Sequence, residues 1–340
     1  MNIEPLVNFI YKIRQRLFSR RVNTENYLSI LDGWRGLSIL LVLSAHLLPL
    51  GPSSLKLNST AGPMGMSLFF SLSGFLIAHF FINNDNIKKF IIRRTFRIVP
   101  LSWLYLLIAL TFIQAPSDVY LSHFLFYSNW PPMTLQSVTS HFWSLCVEMQ
   151  FYLGIAVLYL FLGKKALPLA VILGFLVTIN RINDGVYIAI NTYYRIDEIL
   201  AGVLLALIYH GNTDSVFRKI LEKSQPMLIL PFFIISCHPE SLWFNYLRPY
   251  LAVWLIGSTL INPNIYIEKV LNNNILIYIA AISYALYVIH PILLHTWLGS
   301  GDKLFVYMKR PLLFIILFML AHISTFYYEK FFINLAKRIN

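Results

Sequence analysis

Three ionisable residues occur at fixed spacing in the otherwise apolar stretch LDGWRGLSILLVLSAH, residues 31–46. Asp32 precedes Arg35 by three residues, so the two side chains can pair on one face of a helix and lower the cost of burying the guanidinium. His46 follows Arg35 by 11 residues, which is close to three whole turns and places both on one stripe, about 16 Å apart along the axis. Ionisable side chains inside an apolar span indicate a functional site, although a neutral His46 that bonds a neighbouring helix explains the pattern equally well.

Three arginines precede a further apolar run, and a glutamate lies inside another. In KKFIIRRTFRIVP, Arg93, Arg94 and Arg97 precede a proline and a span. Guanidinium groups bind phosphate through paired hydrogen bonds, so this cluster could hold a nucleotide-like ligand, but anchoring of the span explains it almost as well. In HFWSLCVEMQFY, Glu148 lies too deep for a solvated face. It could orient a base, hold a proton, bind a sugar hydroxyl or pair with a buried arginine.

Small and polar residues interrupt further apolar segments. Ser73 and Gly74 lie in a Phe-rich helix, where small side chains let a ligand or, more simply, another helix approach the backbone. His290 precedes Pro291, whose missing amide donor loosens a helix and often marks a cavity in membrane proteins. The other residues of this kind, each of which has a structural explanation as well, are His141, Gln150, Arg195, Asp197, Glu198 and Glu329.

The composition places these residues in a membrane protein. Of the 340 residues, 57% are hydrophobic and only 12% are charged, whereas soluble domains carry roughly a quarter charged residues. The net charge of +12 comes from short basic clusters between long apolar runs, which indicates membrane topology and not a nucleic-acid partner. Cys146 and Cys237 both lie in apolar segments, so neither a disulfide framework nor a zinc site is expected.

We therefore predict an all-α fold, a polytopic integral-membrane helical bundle of about ten transmembrane helices. The apolar windows lie near residues 28–50, 63–82, 98–115, 142–162, 166–180, 195–211, 226–238, 246–262, 275–296 and 311–328. Those near 166–180 and 226–238 are shorter than the roughly 20 residues that cross a bilayer upright. We divide the chain into a basic amphipathic segment over 1–27, alternatively a disordered tail, a membrane domain over 28–332, and a tail over 333–340.

The basic clusters predict the orientation of the first six spans. Most lysines and arginines fall in segments that would face the cytoplasm, which indicates that both termini lie there, with the bundle in the cell's inner (plasma) membrane. Omitting segment 226–238 leaves this balance unchanged, so the direction of the last four spans stays open. Arg35 would then lie near the cytoplasmic mouth and His46 about halfway across the bilayer.

Taken together, these motifs resemble the acyltransferase 3 family of multi-pass membrane enzymes that O-acylate glycans and related acceptors. The family's opening L-D-G-x-R-G stretch and following histidine correspond to LDGWRGLSILLVLSAH. Its later elements correspond to FFSLSGFLI, RRTFRIVP, WSLCVEMQFY, ISYALYVIHP and YYEKFF, so the resemblance spans about residues 28–332. Ser67 and Met149 stand where relatives often carry acidic residues, which leaves the acceptor preference open. The chain ends about a dozen residues after the last predicted span, so no fused esterase-like domain is expected in it.

The resemblance implies an enzyme that moves an acyl group, most simply acetyl, from cytoplasmic acetyl-CoA or another acyl-CoA to a hydroxyl of a cell-surface glycan or its lipid-linked saccharide precursor. His46 would be the general base, or a nucleophile that accepts the acyl group transiently, and Arg35 and Glu148 would complete the catalytic set. The acyl-CoA would be held by Arg35, Arg93, Arg94, Arg97, Ser73 and Gly74. Supporting or acceptor-binding roles would fall to Asp32, His141, Trp143, Gln150, Arg195, Asp197, His290 and Glu329.

Membrane lipids and the saccharide are the expected partners; no metal and no nucleic acid are expected, and protein partners are not assigned. A transporter or flippase for a glycan or acyl intermediate is the competing class, because intramembrane Asp, Arg and His could also form a substrate or proton path. A non-catalytic scaffold is the third class. It predicts that substitution of His46 changes only the abundance of the protein.

Overall fold

The computed structural model describes residues 28–262 and 265–339, so the predicted basic segment over 1–27 lies outside the described residues. This part of the chain folds into α-helices joined by short loops and 3₁₀ turns, without a β-strand. The helices are α1 Ser29–Leu47, α2 Leu57–Asn83, α3 Ile87–Phe112, α4 Ser117–Phe124, α5 Phe142–Leu162, α6 Ala166–Asn183, α7 Thr192–Arg195, α8 Asp197–His210, α9 Val216–Lys223, α10 Pro226–Cys237, α11 Arg248–Ile261, α12 Ile265–Leu271, α13 Asn274–Leu294, α14 Lys303–Met308, α15 Arg310–Ile323 and α16 Lys330–Ile339. A π-helical turn, Ser324–Glu329, joins α15 to α16.

Each of the ten predicted apolar windows coincides with a helix, and the predicted all-α membrane bundle is confirmed. By length and composition, six helical segments of the described chain can cross a membrane, or seven if the broken pair α9 and α10, bent by 100°, is one span. The predicted count of about ten is not confirmed. Helices α8 and α11 have 14 residues each and α10 has 12, which is short for an upright crossing.

Glycines let the central helices α1, α2, α8 and α13 pack with their backbones in contact. A Cβ atom at Gly65 of α2 would lie 2.5 Å from the Ser38 carbonyl oxygen of α1, and one at Gly74 would collide with the Ile199 carbonyl of α8. On the other side of α1, a Cβ atom at Gly36 would collide with the backbone of α13. Small residues at such positions are typical of helix packing in membranes, where dispersion contacts rather than the hydrophobic effect hold helices together.

Helices α1 and α2 are antiparallel, and they define the two ends of the bundle. The Asn58 amide near the start of α2 donates to the carbonyl oxygens of Ala45 and Leu48 at the finish of α1, at 2.8 and 2.7 Å. We call this end of the bundle the His46 end, and the opposite end, where α1 begins, the Arg35 end.

The short helix α10 begins toward the Arg35 end and finishes toward the His46 end, antiparallel to α11. At the Arg35 end, the Asn262 amide donates to the Glu222 carbonyl oxygen at 2.7 Å. At the His46 end, Lys56 pairs at 2.5 Å with Glu240 in the loop between α10 and α11, and its ammonium holds the pKa of the Glu240 carboxyl below the usual value.

Helix α15 returns the chain to the Arg35 end. The Tyr278 hydroxyl near the start of α13 lies 2.8 Å from His322 Nδ1 near the finish of α15, and the Tyr328 hydroxyl donates to the Pro100 carbonyl oxygen in α3 at 3.2 Å. The described chain therefore begins and ends at the same end of the bundle.

The outward surface of the bundle is apolar. Residues such as Leu107 of α3, Phe161 of α5 and Ile315 of α15 are 55%, 78% and 65% exposed. A soluble protein rarely exposes contiguous apolar surface of this kind, whereas lipid tails cover it without cost. The fold therefore has the surface of a multi-pass membrane protein.

Candidate functional site

A cavity lined by both charged and apolar residues opens inside the bundle, where α1, α2, α3, α5 and α13 meet. It is partly open to solvent, and the empty space in and around it, open solvent included, is about 460 Å³. Its lining residues are Arg35, Phe69, Leu72, Ser73, Leu76, Arg94, Arg97, Ile98, Glu148, Tyr152, Ser283 and Tyr284. We call this space the arginine cavity, because three guanidinium groups from two helices face it.

Two of the three guanidinium groups have no acidic partner within the described residues. Arg35 pairs with Asp32 at 3.3 Å, as the sequence spacing predicted. Arg94 and Arg97 make no ion pair within 4 Å in this part of the chain, and the Arg94 guanidinium lies 5.4 Å from the centre of the Tyr152 ring. The cavity wall therefore presents two positive, fork-shaped hydrogen-bond donors, the kind of group that binds phosphate.

Glu148 lines the same cavity and is held by two hydroxyl groups. Ser73 Oγ donates to Glu148 Oε1 at 2.8 Å, and the Tyr152 hydroxyl donates to the same oxygen. The carboxyl is buried, and in the described chain it makes no ion pair with an arginine. Ser73 is thus brought to the cavity, as the sequence predicted, but as a hydrogen-bond partner of Glu148.

A second, apolar cavity adjoins the arginine cavity and continues along α1. It shares Phe69 and Ser283 with the first cavity, and its other lining residues are Ser38, Ile39, Val42, Gly65, Met66 and Tyr287. The two cavities together follow α1 from Arg35 past Ser38 and Val42, toward the helix turn that carries His46. We call this second space the apolar cavity.

His46 lies in the last turn of α1 with its ring exposed at the His46 end. We expected a span that continued to residue 50, but the helix ends at Leu47, because Pro49 disfavours the helical conformation at Leu48, which is extended. His46 is therefore the second-last residue of α1, and the helix does not continue to residue 50 as we expected. Its Nδ1 lies 2.9 Å from His290 Nε2 of α13.

Another predicted residue, His141, packs against the histidine pair. His141, just before α5, is buried with its ring centre 5.6 Å from that of His290, and neither of its ring nitrogens has a hydrogen-bond partner in the described chain. The Tyr287 hydroxyl donates to the His141 carbonyl oxygen at 2.7 Å. Trp143, two residues after His141, points elsewhere, with its ring centre 5.4 Å from the Arg195 guanidinium.

Other predicted residues lie away from both cavities. Arg93 is exposed on the outer side of α3, and Gly74 packs against α8. The Gln150 amide donates to the Phe126 carbonyl oxygen at 2.7 Å, which ties the loop before α5 to that helix. Glu329 is buried in the π-helical turn, where it accepts hydrogen bonds from Ser324 and Thr325 at 3.0 and 3.1 Å. These contacts are structural.

Arg195 and Asp197 belong to a buried ionic cluster between α6, α8 and α11. Arg181 pairs with Asp197 at 2.5 Å, Arg248 with Glu198 at 2.7 Å, and Arg195 with Glu198 at 3.3 Å. Sequence analysis missed Arg181 and Arg248, because each lies at the boundary of a span and was counted with the loop charges. The signal that could have found them is the acidic pair at the start of α8, because two buried carboxylates need buried cations nearby and Arg195 supplies only one.

No group of three or more His, Cys, Asp or Glu in residues 28–262 and 265–339 is arranged to hold a metal ion. The described chain thus offers two adjoining cavities and, beyond them along α1, the exposed ring of His46.

The apolar outer surface and the charged internal cavity together identify the chain as a multi-pass helical membrane protein. Residues 28–329 match the family described as "Acyltransferase domain", and the chain belongs to this family of acyltransferases. It is 27% identical over 316 residues to a provisionally named O-acetyltransferase of Staphylococcus aureus strain COL, an alignment that covers 78% of this chain and 50% of that protein. It is 25% identical over 332 residues to O-acetyltransferase OatA of Staphylococcus aureus strain NCTC 8325, covering 82% and 52%.

The chain spans about half the length of these relatives. No solved structure matches it significantly.

Proposed function

We propose that the protein is a membrane O-acetyltransferase that moves an acyl group, most simply acetyl, from acyl-CoA to a hydroxyl of a cell-surface glycan or its lipid-linked precursor. One observation carries this proposal: the arginine cavity and the apolar cavity adjoin, and together they lead along α1 toward His46. The names of the O-acetyltransferase relatives support the acetyl group and the oxygen acceptor.

The arginine cavity fits the phosphate groups of acyl-CoA. Arg94 and Arg97 point guanidinium groups into it without an acidic partner in the described chain. The two guanidinium groups are half-buried and make no ion pair there, so a phosphate group could bind them through bidentate, charge-assisted hydrogen bonds. Acyl-CoA would therefore enter from the Arg35 end, which we place at the cytoplasmic face. Its thioester arm would extend through the apolar cavity.

His46 is suited to remove a proton from the acceptor hydroxyl. The exposed ring allows a saccharide to approach from the His46 end, and a neutral imidazole is a base near pH 7. As the hydroxyl oxygen attacks the thioester carbonyl, its proton passes to His46, the carbon–sulfur bond breaks, and the proton then passes to the departing thiolate. Alternatively, His46 attacks the thioester first and carries the acyl group to the hydroxyl.

The test measures transfer of labelled acetyl from acetyl-CoA into surface glycan, in membranes that hold equal amounts of wild-type protein and His46→Ala. We expect the mutant to lose the alkali-labile acetyl ester by about 100-fold or more, because a positioned base contributes 10²–10⁴ in rate. His210→Ala is the matched control, since this exposed histidine pairs with His79 on α2 and neither of the two lines either cavity. Full transfer by His46→Ala would contradict the proposal.

A transporter or flippase remains the second candidate, because two adjoining cavities along one helix also suit a translocation path. The two functions differ in stoichiometry. An O-acetyltransferase releases one free CoA for each ester formed, whereas a transporter moves its substrate unchanged. Free thiol and ester, measured in the same membrane sample, distinguish them.

A further inference from the structure

We propose that His290 is a positioning residue that fixes the tautomer of His46, so that Nε2 of His46 is the basic nitrogen of the acyl transfer. This inference rests on the proposed function, in which His46 is the base. It adds a specific role for His290 and a structural reason for the proline that follows it.

The first step of the argument is a backbone carbonyl without its helical partner. In an α-helix the carbonyl of Tyr287 would accept from the amide of residue 291, but Pro291 has no amide hydrogen. His290 Nδ1 lies 2.8 Å from this free carbonyl oxygen and takes the place of the missing donor. A carbonyl oxygen can only accept a hydrogen bond, so Nδ1 of His290 carries the hydrogen.

The second step is the charge state of His290. The side chain is fully buried, and no carboxylate in the described chain contacts it. A cation without a counter-charge in such surroundings is costly, which favours the neutral ring. With hydrogen on Nδ1, the neutral ring presents a lone pair on Nε2.

The third step transfers this assignment to His46. His290 Nε2 can only accept, and it lies 2.9 Å from His46 Nδ1, so His46 Nδ1 must donate. The hydrogen of a neutral His46 ring is therefore on Nδ1, and the lone pair is on Nε2. Nε2 makes no hydrogen bond within the described chain, and the ring is exposed. The basic nitrogen thus faces the side from which an acceptor hydroxyl can approach.

The same contact stabilises the product of proton transfer. When His46 Nε2 takes the hydroxyl proton, the ring becomes a cation, and its Nδ1–H still donates to the lone pair of His290. The opposite tautomer of His46 would place two lone pairs against each other across 2.9 Å. His290 should therefore affect the rate of transfer without affecting the binding of acyl-CoA.

The test compares His290→Gln with His290→Met, because the two side chains have similar length and differ in hydrogen bonding. The Gln amide oxygen can accept from His46 Nδ1 while its NH₂ group donates to the Tyr287 carbonyl. We expect H290Q to keep kcat within about threefold of wild type. We expect H290M to lower kcat by about tenfold or more at an unchanged KM for acetyl-CoA, because a lost hydrogen bond of this kind is worth about one factor of ten.

Full kcat in H290M, or equal losses in H290Q and H290M, would overturn the inference. If H290M does not accumulate in membranes, Pro291→Ala replaces it in the test. The new amide of residue 291 would compete with His290 for the Tyr287 carbonyl, so we expect a lower kcat at unchanged KM for acetyl-CoA. Full kcat in this variant would overturn the inference. His46→Ala, assayed in parallel, separates failure of the proposed function from failure of the role assigned to His290. If it keeps full transfer, the proposed function fails; if it loses transfer and H290M does not, only the role of His290 fails.

Discussion

Three arginines of one short segment differ in their surroundings, and this difference predicts a difference in acyl-CoA binding. Arg97 faces the arginine cavity without an acidic partner in the described chain, whereas Arg93 is exposed on the outside of α3. Substitution Arg97→Ala removes a charge-assisted contact to phosphate, worth about 1.5–3 kcal/mol. We expect the KM for acetyl-CoA to rise about tenfold or more, measured by acetyl transfer at varied acetyl-CoA.

Arg93→Ala is the matched control, because it removes the same charge from the same helix without touching the cavity. We expect its KM to stay near the wild-type value. An equal rise of KM in both variants would show that general positive charge at the membrane surface, and not the cavity, attracts acyl-CoA.

At the scale of helices, Gly74 and Gly154 predict opposite outcomes for the same substitution. A Cβ atom at Gly74 would collide with the Ile199 carbonyl of α8, while one at Gly154 of α5 would meet no atom within 4 Å. Forcing a methyl group into a packed contact costs about 1–3 kcal/mol, so we expect Gly74→Ala to melt several degrees lower in detergent. Gly154→Ala should melt at or slightly above the wild-type temperature, because alanine is the better helix former. Equal melting temperatures would mean that α2 and α8 do not pack as described.

The buried ionic cluster predicts a large loss of stability from one substitution. Arg248→Ala would leave Glu198 with the longer 3.3 Å contact to Arg195. Breaking a buried pair costs about 3–5 kcal/mol, so we expect a marked loss of folded protein in a thermal assay. Lys56→Ala is the control: it breaks the solvent-exposed pair with Glu240, and we expect little change because water and salt screen such pairs. A similar effect of both variants would contradict the burial of Arg248.

The sequence predicted every apolar helix but not how the helices meet. Apolar runs of fixed length are a local property, so all ten windows fall on helices, with boundaries wrong by several residues at the finish of α1 and the start of α3. The ion pairs of Arg35 with Asp32 and of Arg195 with Glu198 can be predicted from the sequence, because the partners lie three residues apart on one helical face. Contacts between distant segments, such as Glu148 with Ser73 or His46 with His290, depend on packing and left no sequence spacing from which to infer them.

At the scale of the whole molecule, the two ends of the bundle differ in charge. Paired basic residues follow the helices that finish at the Arg35 end, as at Lys88 and Lys89 after α2 and at Lys164 and Lys165 after α5. Positive residues favour the cytoplasmic side of a membrane. This distribution supports the proposed entry of acyl-CoA from the Arg35 end, and with that orientation the exposed ring of His46 would face the outer side of the membrane.

This orientation can be tested with single cysteine substitutions. Ser300, in the loop after α13, and Lys165, between α5 and α6, are both exposed, at the His46 end and the Arg35 end. The native thiols Cys146 and Cys237 are fully buried and should stay unlabelled. In intact cells that expose the outer face of the membrane, a membrane-impermeant maleimide should label Ser300→Cys but not Lys165→Cys, and in inside-out vesicles the pattern should reverse. Labelling of Lys165→Cys in intact cells would place the arginine cavity toward the outside, where no cytoplasmic acyl-CoA could enter it, and would require another acyl donor for the reaction.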